Sequence, residues 1–87
     1  MNLIEATRLV MAESAARPDL MRVTRHAYDE LSAGREVPHT TLRWMLREAG
    51  LSGVFNALDQ RHGAEVVKDM ILVLEHEIDR HAPLGTH

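Results

Sequence analysis

Residues 64–81 read AEVVKDMILVLEHEIDRH, and this stretch decides the fold. Val67, Ile71, Leu74 and Ile78 step by four, three and four, which lays them along one side of a helix as a heptad-like seam. Val66, Met70 and Val73 widen that seam into a broad apolar stripe. One short neighbour cannot cover a stripe so wide, so this helix is expected at the centre of a bundle or in a homodimer seam. Its charge-free run, Met70 to Leu74, is far short of the roughly 20 residues a membrane span needs.

Working outward, the same helical spacing recurs between a few punctuating residues. Gly63 precedes the long helix and Pro83 follows it; Pro18, Gly34, Pro38 and Gly50 divide the rest. The first helix is expected from about Asn2 to Ala16, with Asn2 and Glu5 spaced as a capping box. Thr7 and Ser14 dilute its apolar face, which places it at the edge of the core. Pro18 suits the first position of a second helix, whose apolar face is Leu20, Val23, Thr24, Ala27 and Leu31 and whose stop is Gly34. Thr40 or Thr41 caps a third helix ending at Ala49, with Gly50 as its stop. Ser52 then caps a fourth, with Leu51, Val54, Phe55 and Leu58 at i, i+3, i+4 and i+7. The expected architecture is therefore all-α: a compact bundle of about five short helices with a long C-terminal helix 64–81. A single helical domain spans 1–82 and a frayed tail spans 83–87.

Composition narrows the function classes. A chain of 87 residues forms one domain with a thin core, and its 45% hydrophobic content argues against disorder. Cysteine is absent, which excludes disulfides, thiolate zinc sites and cysteine nucleophiles, and favours a cytoplasmic setting. Net charge is −3, concentrated in residues 64–87, while residues 17–63 are rich in arginine. No glycine-rich phosphate loop or nucleophile elbow occurs, and the serines sit in helices or caps, so no enzymatic activity is expected. Six histidines include no i, i+4 pair; Glu77 with His81 and His62 with Glu65 are two-ligand spacings at most, so neither a metal nor a cofactor is expected.

Two constellations remain. Trp44 lies about 160° around its helix from Leu42, away from the apolar face, and between Arg43 and Arg47. Tryptophan bordered by arginine is the composition of a protein-binding hot spot. Arg22 and Arg25 on the second helix supply further candidate contacts, and Arg17 and Arg35 complete the arginine set. The other constellation is residues 41–62, TLRWMLREAGLSGVFNALDQRH. A helix, a glycine-containing turn and a second helix is the layout of a helix-turn-helix unit. The segment Arg47-Glu48-Ala49-Gly50-Leu51-Ser52 resembles the turn of repressor-type helix-turn-helix domains, although Leu46 stands where that family usually has alanine. The resemblance covers about a quarter of the chain. It implies DNA binding through Arg43, Arg47, Asn56, Gln60 and Arg61.

The leading expectation is a small, non-enzymatic regulatory or inhibitory protein of bacterial or phage type. It acts by protein–protein binding, with Trp44 as anchor, Arg22, Arg25, Arg43 and Arg47 around it, and Val67, Ile71, Leu74 and Ile78 as a candidate homodimer seam. The competing expectation is a helix-turn-helix transcriptional regulator.

Overall fold

The computed structural model describes residues 1–81, and within them the chain forms five α-helices and no strand. These are α1 (Leu3–Ala12), α2 (Pro18–Ser32), α3 (His39–Leu51), α4 (Val54–His62) and α5 (Ala64–His81). The expected tail 83–87, and Pro83 as a helix stop, lie outside the described residues. No helix among the described residues is long and apolar enough to cross a membrane.

The long helix is the spine. α5 packs against α1, α3 and α4, burying Val67, Met70, Leu74 and Ile78. Met70, rather than Ile71, is the inward residue at the second turn; Ile71 is half-buried on the flank. α2 lies outside this layer, against α1 and α3. Of the expected seam, Val67, Leu74 and Ile78 are buried by the chain's own helices, and Ile71 stays half-buried beside the exposed Leu72.

α1 differs from expectation in extent and place. Asn2 caps it as expected, its Oδ1 accepting the Glu5 N–H at 2.8 Å. It ends at Ala12, not Ala16, because the chain must turn through 13–17 to reach Pro18, which holds Arg17 extended. Thr7 and Ser14 are buried, and α1 packs on three neighbours instead of lying at the edge of the core. Their hydroxyls donate back to Leu3 O at 2.9 Å and Val10 O at 2.6 Å, so the polar atoms enter the interior with partners.

The α3–α4 junction is rearranged relative to expectation. α3 starts at His39, with Pro38 in the cap position and no side-chain cap, so neither Thr40 nor Thr41 caps it. Gly50 lies inside α3. The left-handed residue that makes the turn is Gly53, at φ 82°. The Phe55 ring stands 3.3 Å from where a Gly50 Cβ would be, so ring and helix backbone meet closely there. Ser52 accordingly ends α3 instead of capping α4, its Oγ donating to Ala49 O at 3.4 Å. Leu51, expected on the apolar stripe of α4, sits at the end of α3 and is 75% exposed. Gly34 and Gly63 have positive φ and follow α2 and α4, as the sequence predicts.

Candidate functional site

α2 and α3 lie side by side, and each offers the same helical spacing to the cleft between them. Arg22, Val23 and His26 come from α2; Thr40, Thr41 and Trp44 come from α3. In both cases the positions are i, i+1 and i+4, one flank of a helix. The cleft has a volume of about 510 Å3. Trp44 is half-buried, packed against the core on one side and open to the groove on the other. The tryptophan is thus both a structural and a surface residue.

The charges around the groove fall into two groups. Arg17 grips Asp19 with two hydrogen bonds, at 2.9 and 2.7 Å, and reaches Glu48 at 2.8 Å, tying the start of α2 to α3. That arginine holds the Asp19 carboxyl down at about 2 and lowers Glu48 as well. Arg35 is held by Glu30, and Arg47 lies 3.4 Å from Glu48. By contrast, Arg22, Arg25 and Arg43 are exposed and, among the described residues, have no carboxylate at ion-pair distance. Of the partner-binding residues expected from sequence, the structure brings Trp44 and Arg22 together in one groove. Arg25, Arg43 and Arg47 do not line it.

Val23, His26, Thr40 and Thr41 were not among the expected site residues. Val23 reads from sequence as part of the core face. The signal for the others is weak, because it depends on knowing that α2 lies beside α3. His26 Nε2 stands 3.6 Å from Glu30 Oε1, one turn further along α2.

The residues expected to read DNA are placed differently. Asn56, Gln60 and Arg61 are exposed on α4, but Arg61 Nε is 3.0 Å from Glu13 Oε2. Ala57, Gln60 and Arg61 line a shallow pocket with that same Glu13. Arg47 is also engaged, and only Arg43 of the three cations in that set is unpaired among the described residues. The turn also differs from the resemblance at 47–52, since Gly50 is helical.

A second groove of about 420 Å3 runs between α4 and α5, lined by Phe55, Asp59, Val67, Lys68, Ile71 and Leu72 among others. Among the described residues, no three histidine, aspartate or glutamate side chains converge as metal ligands. Glu77 is instead flanked by Arg80 at 2.8 Å and His81 at 2.7 Å, and Arg80 foremost lowers its pKa. Comparison with known protein families, with curated proteins and with solved structures gives no match.

Proposed function

We propose that this chain is a small regulatory or inhibitory module that binds a protein partner in the α2/α3 groove and does no chemistry of its own. One observation carries the reading: a half-buried tryptophan faces an open groove whose border holds an arginine without a carboxylate partner. A pre-formed apolar wall with a rigid aromatic anchor and an unneutralised cation is the usual make-up of an interface hot spot. The cysteine-free composition fits action in a reducing cytoplasm.

A photo-activatable side chain at His26 tests this in the cells that make the protein. It is expected to trap a discrete protein species, while the same group at Leu72 in the α4/α5 groove traps none. Trapping at Leu72 alone would move the interface to the other groove. The helix-turn-helix reading has the exposed Asn56 and Gln60 in its favour. It requires duplex DNA binding that weakens steeply with salt and on Arg43→Ala or Arg61→Ala, measured by fluorescence anisotropy. Such binding would displace the protein-partner reading.

A further inference from the structure

The chain has nine arginines. Arg8, Arg17, Arg35, Arg47, Arg61 and Arg80 each have a carboxylate partner. The remaining three, Arg22, Arg25 and Arg43, all lie on α2 and α3, the helices that wall the Trp44 groove. On those two helices Asp19, Glu30 and Glu48 are held in ion pairs, which leaves Asp29 as the acid outside one among the described residues. Over residues 17–51, with Glu36 of the connecting segment included, six arginines stand against five acids, a formal +1 on a chain whose net charge is −3. A second feature adds to it. α3 begins without a side-chain cap, and its first turn opens into the groove at Thr40 and Thr41. The first turn of α3 thus borders the same space as Arg22.

We infer that the occupant of this groove is an acidic, amphipathic peptide segment of the partner, which sets a large apolar side chain against Trp44 and Val23 and a carboxylate toward Arg22. The inference rests on the groove reading above and adds the partner's chemistry. The apolar wall selects a peptide over a nucleic acid strand, which would need cations along the whole length of the groove, whereas Arg22 is the one arginine that lines it. Arg25 and Arg43, outside the groove, contribute long-range attraction and raise the association rate.

The test pans a random peptide library against the 87-residue chain, with Trp44→Ala and Arg22→Glu as counter-targets. Selected peptides are synthesised, labelled and titrated by anisotropy at low and moderate salt. The expected peptides carry Asp or Glu within one helical turn of a large apolar residue. Their affinity falls about tenfold or more on Arg22→Glu and weakens with salt. Amide shifts of the wild-type chain on adding peptide are expected at 22–26 and 40–44, which secures the site even if Trp44→Ala folds poorly. Neutral or basic peptides that shift those amides but ignore Arg22→Glu would overturn the acidic partner and leave the groove reading standing. Peptides that shift amides elsewhere, or a library that yields none, would overturn both.

Discussion

Two grooves of similar size flank this bundle, and each exposes one half-buried aromatic. Trp44 looks into the cleft between α2 and α3, about 510 Å3; Phe55 looks into the cleft between α4 and α5, about 420 Å3. Their borders differ. The first holds Arg22 without an acid beside it, and the second holds Asp59 and Lys68, whose charges cancel. Short helices around a thin core leave such clefts as a matter of geometry, because few neighbours are available to cover each flank. An apolar cleft is therefore weak evidence of function in a chain this small. The charge left over at its border discriminates better.

The largest expected effect lies in the core that both grooves border on. Leu74 is fully buried on the spine, and Leu74→Asp should abolish cooperative melting followed by circular dichroism, a loss of more than about 4 kcal/mol. Cooperative unfolding near the wild-type Tm would mean that α5 is not the shared spine. Next, Trp44→Ala and Phe55→Ala should each lower stability in urea by roughly 1–3 kcal/mol, since both rings are half-buried. Equal stability losses with only Trp44→Ala affecting peptide binding would sharpen the contrast between the grooves. A loss at Trp44 as large as that of Leu74→Asp would make it a core residue and remove the anchor.

The turn glycines give a smaller, signed pair. Gly53→Ala should cost about 1 kcal/mol, because its φ of 82° is unfavourable for an L side chain. Gly50→Ala should be neutral or mildly stabilising. Helix propensity favours alanine by about 1 kcal/mol, which offsets the few tenths of an ångström by which the Phe55 ring must yield to a Cβ placed 3.3 Å from it. The reverse order would place the turn at Gly50, as the resemblance to a helix-turn-helix unit implies.

Smaller still is the acid response of the Arg17 clip. Arg17 lowers the pKa of Asp19 from 3.8 to about 2, and that of Glu48 from 4.5. Depressed carboxylates stabilise the fold fully above their unfolded values and cease to do so as pH falls through the folded ones. Tm should therefore drop from about pH 4.5 toward pH 2, and Arg17→Gln should flatten that slope by a few °C. An identical slope in the variant would deny the clip any energetic role. The smallest change is expected for Arg22→Glu, whose stability should stay within about 0.5 kcal/mol of wild type. A larger loss in the same melts would make Arg22 structural and weaken the border argument.

The legible parts of the sequence were those governed by local rules. α5 starts at Ala64 as its periodicity predicts and is helical to the last described residue, His81, and α2 starts at Pro18 because proline suits a first helical turn. The angular argument correctly set Trp44 off the main apolar face. At 50–53 two glycines compete for the turn, and helical spacing does not choose between them. Gly53 takes the positive φ, and the Phe55 ring, five residues beyond Gly50, packs against the other. α1 is shorter than its pattern suggests: Ser14 fits the helical spacing but bonds back to Val10 from the turn. The arginines were the least legible. Arg17 finds Glu48 31 positions away, and Arg61 finds Glu13 across the bundle. No spacing rule could show which cations would remain unpaired.

Trp44 is also the chain's sole indole, accompanied by one tyrosine. Red-edge ultraviolet excitation therefore illuminates the α2/α3 cleft and nothing else in the molecule. Any visitor that displaces water from that ring must change its emission, whether peptide, nucleotide or second copy. The protein thus carries a built-in optical probe of its own proposed interface, and candidate ligands can be screened on the native chain without attaching a dye.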